Sequence, residues 1–257
     1  MKIFNIKLKL VFFVAVFLTG TFFIFSNSVS AAEIIDTDLD GLSNDEEINI
    51  FHTDPKQADT DADGYNDYTE IYNGYSPLQS KPIKLSSLDS DNDGVFDSWE
   101  IRLGLDFLNP DTDSDGYNDG IEINNGYNPA SNNPEKLGKE IKVDLTAQTL
   151  AYYFNNIELG KFLISSGISS MPTPKGEFSI LDKVPSKNYG GTGFNFYYPD
   201  TKWNLHFTTG RWRYYIHGAY WHNNFGRPMS HGCINVPYSE MERLYGFTQV
   251  GTKVEIS

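Results

Sequence analysis

The string SHGCIN, residues 230–235, holds the single cysteine of this 257-residue chain. A cysteine attacks as its thiolate, so it needs a neighbouring base that takes the proton and keeps the sulfur reactive. Imidazole suits that task because it titrates near neutrality. His217 stands upstream in YYIHGAY, at the end of a segment with strand character. Gly232 lets the backbone turn closely before Cys233 and leaves amides beside the sulfur. Together these residues could attack a carbonyl and carry an acyl group as a thioester. Two other readings of the same residues stand beside this one. A lone cysteine can be an inert, small buried hydrophobe. His217, His231 and Cys233 are also all good zinc ligands, although the usual ligand spacing is missing.

A second constellation fills the N-terminal half. DTDLDGLSNDEE (36–47), DTDADGYNDYTE (59–70), DSDNDGVFDSWE (89–100) and DTDSDGYNDGIE (111–122) place Asp at positions 1, 3 and 5, Gly at 6 and Glu at 12. Ca²⁺ takes about six to eight oxygens, and a tight loop can aim alternate side chains inward. Gly41, Gly64, Gly94 and Gly116 permit the sharp turn at position 6. The spacing assigns Asp36, Asp38, Asp40, the Leu42 carbonyl, Asn44 and Glu47 as ligands in the first loop. In the second they are Asp59, Asp61, Asp63, the Tyr65 carbonyl, Asp67 and Glu70. In the third they are Asp89, Asp91, Asp93, the Val95 carbonyl, Asp97 and Glu100. In the fourth they are Asp111, Asp113, Asp115, the Tyr117 carbonyl, Asp119 and Glu122. Mg²⁺ fits less well, because it demands near-octahedral geometry and keeps its waters. The plainer alternative, an acidic solvated linker, leaves the aspartates of every copy repelling one another. The loops begin 23, 30 and 22 residues apart, so they fall into two pairs joined by SPLQSKPIKLSSL (76–88). The apolar patch after each loop is too short for an independent helix and is expected to pack within its pair.

The elements that must hold these sites divide the chain. Residues 33–139 carry 25 acidic residues against 6 basic ones, and 140–257 carry 9 against 11. So sharp a break implies two modules, and neither offers the basic face that nucleic-acid binding requires. Ahead of them, Lys2, Lys7 and Lys9 precede an apolar run from Leu10 to Phe25 and the small residues of SVSAA. That is an export-signal pattern over 1–32. The run is short for a bilayer span, so membrane association is expected only through an uncleaved anchor. The mature protein is expected outside the cytoplasm, in the cell wall, extracellular or periplasmic, with no internal disulfide.

From Glu140 onward the sequence reads as strands. IKVDL places Ile141, Val143 and Leu145 on one face, and TLAYYF and IELGKFLISSG flank Asn155-Asn156 as a hairpin. GEFSIL, WNLHFTT, RYYIHGAY and TKVEIS read similarly. One helix is predicted from Ser239, with Glu242 as its capping-box partner, to near Gly246. The predicted fold class is mostly β, a sandwich or barrel with minor helix over 139–257, behind EF-hand-like calcium loops over 33–135. Trp203, Tyr214, Tyr215, Tyr220 and Trp221 serve core and cleft packing. NYGGTGFNFYYPD (188–200) reads as a flap. His52 is expected on the surface, and His206 and His222 in core or cleft. Arg211, Arg213 and Arg227 are solvated or receive carboxylates.

The string IHGAYWHNNFGRPMSHGCIN (216–235) resembles the active-site signature of L,D-transpeptidase catalytic domains. IKVDLTAQTLAYYFNN (141–156), TPKGEF (173–178) and VGTKVEI (250–256) are similar to that family's course along the chain. One departure is spacing: 12 residues separate His217 from Ser230, fewer than is usual, which bears on the lid over the site. The resemblance implies Cys233 as nucleophile, His217 as base and the Gly218 carbonyl as the group that orients the imidazole. It implies backbone N–H groups around His231, Gly232 and Cys233 as the oxyanion hole, with Ser230 and His231 shaping the loop or assisting proton transfer. Asn235, Arg227, Tyr215 and Trp221 are assigned to substrate contact. The implied reaction is a two-step acyl transfer on peptidoglycan stem peptides. Cys233 attacks the third residue's L-centre carbonyl in a donor tetrapeptide, D-alanine leaves, and a neighbouring stem's amine resolves the thioester as a 3→3 cross-link. Water as acceptor would make the site an L,D-carboxypeptidase or cysteine peptidase, and a domain that only binds the wall is the non-enzymatic alternative. No cofactor is implied for catalysis. The acidic loops resemble thrombospondin type 3 calcium repeats over roughly 36–130, which implies an arm stiffened by structural Ca²⁺.

Overall fold

Every acidic loop closes on itself through its own aspartates. The computed structural model describes residues 34–191, 196–210 and 212–257, so the export-signal segment 1–32, Arg211 and 192–195 of the expected flap lie outside the described residues. In the second loop Asp59 accepts the Asp63 N–H at 3.2 Å and the Gly64 N–H at 2.9 Å, while Asp63 accepts the Tyr65 N–H at 2.9 Å. The glycine at position 6 has positive φ, and so does the residue at position 4: Leu39, Ala62, Asn92 and Ser114. That second left-handed site was hidden from the pattern because four different side chains occupy it.

Each loop feeds a short helix: α1 (Asn44–Glu46), α2 (Asp67–Asn73), α3 (Asp97–Leu103) and α4 (Asp119–Asn125). Gly74, Gly104 and Gly126 end α2, α3 and α4 in the left-handed conformation and donate to the last carbonyls. Helices this short need outside support. Some comes from within the pair: Asp40 Oδ2 accepts the Tyr68 N–H at 3.0 Å, and Asp93 Oδ2 accepts the Gly120 N–H at 2.7 Å. A Cβ on Gly120 would lie 2.3 Å from the Asp93 carbonyl oxygen. Gly120→Ala must therefore push α4 off the third loop, and a stability loss of about 1–3 kcal/mol is expected from such overpacking. A thermal melt in calcium checks it, and an unchanged midpoint would count against the close approach. His52 is half-buried, contrary to the expected surface position. It joins the two pairs, with Nε2 2.8 Å from Asp106 Oδ1 and its ring edge-on to Phe107.

The C-terminal half is mostly β, as the alternation predicts, and consists of two mixed sheets. One has the order β3-β2-β1-β9-β4, from β1 (Lys139–Asp144), β2 (Thr149–Phe154), β3 (Ile157–Leu163), β4 (Gly176–Ser179) and β9 (Lys253–Ile256). Asn155 and Asn156 both take positive φ in the β2–β3 hairpin, the conformation a two-residue turn demands. The other sheet runs β5-β6-β7-β8, from β5 (Asp182–Gly190), β6 (Tyr197–His206), β7 (Tyr215–Ala219) and β8 (Ile234–Pro237). The sequence did not announce β5 or β8. Pro185 interrupts β5, which tolerates it as an edge strand, and β8 is only four residues long.

Helix α5 (Tyr238–Phe247) packs against β6, β7 and β8. It starts after Pro237 without a side-chain cap, so the Ser239 capping box does not form, and Gly246 stays inside the helix. Its end is closed instead by lysines and a threonine. Thr248 Oγ1 donates to the Leu244 carbonyl at 2.6 Å, Lys183 Nζ to that of Tyr245 at 2.6 Å and Lys139 Nζ to that of Phe247 at 2.7 Å. Cations suit this end of the helix dipole.

The loop repeats and the β half share a hydrophobic core. Val95, Trp99, Leu105 and Ile123 belong to the same buried cluster as Ile141, Leu150, Phe154 and Ile216. Trp99 on α3 meets Tyr152 and Phe247 edge-on, with centroids 5.8 and 6.0 Å away. Arg102 donates to the Glu158 carbonyl at 3.0 Å, and Lys139 Nζ lies 3.3 Å from the Asn124 carbonyl. The second loop pair is thus built onto the β half.

Candidate active site

The parallel pairing of β7 with β8 brings the histidine and the cysteine together. Ile216 pairs with Ile234 and His217 with Asn235, so Cys233 stands at the entry of β8 and His217 one residue into the pairing. Both side chains line one cavity of about 100 Å³, with Tyr189, Tyr198, Trp221, Ser230 and Asn235 also on its wall. A wider cavity of about 930 Å³ adjoins it past Met171, Lys187, Tyr214 and Tyr215. Cys233 lines both.

His217 is only 2 % exposed, and burial pushes its imidazole down to about 4. Its Nδ1 lies 3.0 Å from the Gly218 carbonyl oxygen. A carbonyl only accepts, so Nδ1 carries the proton and Nε2 keeps its lone pair. The ring is stacked on Tyr189, with centroids 4.4 Å apart, and flanked by Trp221 at 5.8 Å. Tyr189 is in turn held by its hydroxyl, which donates to buried Asn204 Oδ1 at 2.8 Å. Burial pushes the Cys233 thiol up to about 11, against a backbone hydrogen bond from Tyr215 and the positive charge of Lys187, which both favour the anion. Thiol and imidazole therefore rest uncharged.

The turn that carries the sulfur is fixed from three directions. Gly232 has φ +110, and a Cβ there would meet the Tyr214 ring at 2.2 Å. Ser230 Oγ donates to the Cys233 carbonyl and accepts the Gly232 N–H at 3.2 Å. Thr173 Oγ1 donates to the Gly232 carbonyl at 2.9 Å, and the Ser230 N–H reaches the Ser166 carbonyl at 3.0 Å.

The other predicted site residues fall in different places. Asn235 is buried, 3.0 Å from His222 Nε2, and lines the narrow cavity. Trp221 lies on the same wall, stacked on Tyr198 at 3.9 Å. Tyr215 is buried on the wide side. His231 stacks on Phe196 at 5.0 Å. Arg227 is not brought into either cavity: it is exposed and donates to Asn224 Oδ1 at 2.6 Å. His206 is paired with Asp182 at 2.8 Å and flanked by Arg213. Lys187, Tyr189 and Thr173 were not singled out by sequence, since each acts across strands and only the topology reveals it. Among the described residues, the clusters of three metal-ligating side chains are the four Asp triplets, and His217, His231 and Cys233 do not form another.

In the acidic loops, Asp36, Asp38 and Asp40 converge, as do Asp59, Asp61 and Asp63; Asp89, Asp91 and Asp93; and Asp111, Asp113 and Asp115. Buried oxygens without a partner belong to position 3 (Asp38, Asp61, Asp91, Asp113) and position 12 (Glu47, Glu70, Glu100, Glu122) in every loop. Burial, reinforced by neighbouring aspartates, raises Glu47, Glu70 and Glu122 to about 7 and Glu100 to about 9. Position 9 is employed differently. Both oxygens of Asp67, Asp97 and Asp119 accept from the backbone and hydroxyl of Thr60, Ser90 and Thr112 at position 2. Asn44 also closes its loop onto Thr37, its Oδ1 accepting the Thr37 N–H at 3.0 Å and its Nδ2 donating to Thr37 Oγ1 at 2.8 Å. An amide does this work as well as a carboxylate, which accounts for Asn at position 9 of the first loop.

The β half thus carries its histidine and cysteine on and beside neighbouring parallel strands, and paired acidic loops precede it. Residues 138–256 match the L,D-transpeptidase catalytic domain, and 36–58 and 111–131 match the bacterial TSP3 repeat, so the chain carries an L,D-transpeptidase catalytic domain with TSP3 repeats on its N-terminal side. YkuD of Bacillus licheniformis, assigned to the L,D-transpeptidases, is 29% identical over 129 residues, covering 50% of this chain and 72% of its own. YqjB of Bacillus subtilis, with the same assignment, is 29% identical over 136 residues, covering 50% and 77%. A solved L,D-transpeptidase from Mycobacterium smegmatis is 24% identical with a TM-score of 0.44, covering 48% of this chain and 59% of its own. The solved catalytic domain from the Enterococcus faecium enzyme is 30% identical with a TM-score of 0.41, covering 46% and 96%.

Proposed function

We propose that this protein is an exported peptidoglycan L,D-transpeptidase that forms 3→3 cross-links through an acyl-thioester on Cys233. The observation that carries this reading is the shared cavity of Cys233 and His217, with Nδ1 committed to the Gly218 carbonyl. Nε2 is then the nitrogen that takes the thiol proton as sulfur attacks the donor carbonyl. The Gly232 N–H is already given to Ser230 Oγ, which leaves the N–H groups of Cys233 and His231 to receive the oxyanion. Collapse breaks the C–N bond, His217 returns the proton to the departing amine of D-alanine, and an acceptor amine or water then resolves the thioester. Incubation with donor and acceptor stem peptides, read by mass spectrometry, tests this. The expected products are released D-alanine and a cross-linked dimer, with an acyl adduct trapped on Cys233 by a carbapenem. Released D-alanine without dimer would favour the carboxypeptidase reading, and neither product nor adduct would favour a wall-binding protein.

We further propose that each acidic loop holds one Ca²⁺. The orphaned buried oxygens at positions 3 and 12 support this, because such carboxylates are tolerated only with a cation or a proton. The aspartates of positions 1, 3 and 5, the carbonyl of position 7 and the glutamate of position 12 would hold the ion. Position 9 would act through loop closure.

A further inference from the structure

The wider cavity beside Cys233 is chemically one-sided. Lys187 and Arg213 line it, and no Asp or Glu does so among the described residues, in a chain whose net charge is −14. Arg213 is already engaged, with Nη2 2.9 Å from Asp182 Oδ2 and Nε 3.3 Å from His206 Nε2. Lys187 has no carboxylate partner among the described residues. Its ammonium stands over the rings of Tyr215 and Tyr189, 5.4 and 5.8 Å from their centroids. Those two tyrosines are the neighbours of the reacting pair: Tyr215 supplies the backbone hydrogen bond at the sulfur, and Tyr189 stacks on His217. A half-buried ammonium held on aromatic faces keeps its donors for an outside acceptor.

We propose that Lys187 receives the free C-terminal carboxylate of the donor peptide, which makes the wide cavity the leaving-group side of Cys233. This rests on the acyl-transfer reading above. The carboxylate of the departing residue lies one residue beyond the attacked carbonyl, about 3.8 Å between Cα atoms, and Lys187 lines the same cavity as Cys233, near enough for its charge to act on the sulfur. A donor longer by one residue would carry its carboxylate past the ammonium, so Lys187 selects for a single residue beyond the scissile bond. It exchanges no proton in the reaction: it holds the carboxylate and its charge favours the Cys233 anion, while the proton moves between Cys233, His217 and the leaving amine.

The test compares tetrapeptide donors ending in a free carboxylate or an amide, on the full chain and on its Lys187→Met and Lys187→Arg variants. The wild type should favour the free acid by about 10- to 100-fold in KM, the range of one charge-assisted hydrogen bond. Lys187→Met should lose that preference with kcat changed only a few-fold, and Lys187→Arg should restore it. A wild type that handles acid and amide equally, or a methionine variant that keeps the preference, would overturn the assignment. A wild type inert to both donors, with Cys233 unacylated by a carbapenem, would instead overturn the acyl-transfer reading on which it rests.

Discussion

Cys233→Ala is expected to abolish D-alanine release and cross-linking by at least about 10³-fold while leaving the melting temperature nearly unchanged, because residues that act as one catalytic unit fail together. His217→Gln should fall almost as far, for the same reason. The pH dependence is more diagnostic than either loss. Burial pushes the thiol up to about 11 and the imidazole down to about 4, so both are neutral over the whole range between. On the acid side, protonated His217 cannot accept the thiol proton, so kcat/KM should fall only as pH drops through about 4. Across neutrality the profile should be flat. Alkylation of the free enzyme by iodoacetamide reports the thiolate directly, and its rate should keep climbing with pH toward about 11. An alkylation rate already saturated at neutral pH would show a preformed thiolate–imidazolium pair and sink the neutral-pair mechanism.

This uncharged resting pair is what the sequence could not disclose. SHGC and the upstream His217 were legible, because residue type and order are enough to suggest a thiol and a base. Their ionisation depends on burial, on the Gly218 carbonyl and on the Tyr189 ring stacked at 4.4 Å, all of them products of strand pairing. Lys187 illustrates the same limit: a single lysine among strand residues has no local signature, and the role proposed for it comes from a cavity that no carboxylate lines among the described residues. Gly232 was legible as a close turn, but the Tyr214 ring that forbids a Cβ there comes from a different strand region. In the loops, position 6 was readable from glycine, whereas the positive φ at position 4 was not, because Leu39, Ala62, Asn92 and Ser114 share no chemistry. Arg227 looked like a substrate contact on charge alone, and the fold spends it on Asn224.

The docking of the loops also went unseen, and it carries the second large prediction. Trp99 is 7 % exposed and fills the junction against Tyr152 and Phe247. It is followed in the chain by Glu100, whose two oxygens are both buried without a partner. The residue at the same position of the first loop, Glu46 just before Glu47, is charged and exposed. On the proposed calcium reading, a cation at the third loop would hold the helix that seals the β half, and a cation at the first loop would not. Removing calcium should lower the melting temperature of the whole chain, since each site saturated at 100 times its dissociation constant contributes about 2.7 kcal/mol. Trp99→Ala should cost about 3–5 kcal/mol even in calcium, the range for emptying a large buried aromatic site. Glu100→Gln should reproduce much of the chelator's effect on the β half, and Glu47→Gln very little of it. Calorimetry with limited proteolysis reads both quantities. If chelation frees the loops to protease while the β half melts where it did before, the repeats are a spacer and the shared core around Trp99 carries no coupling.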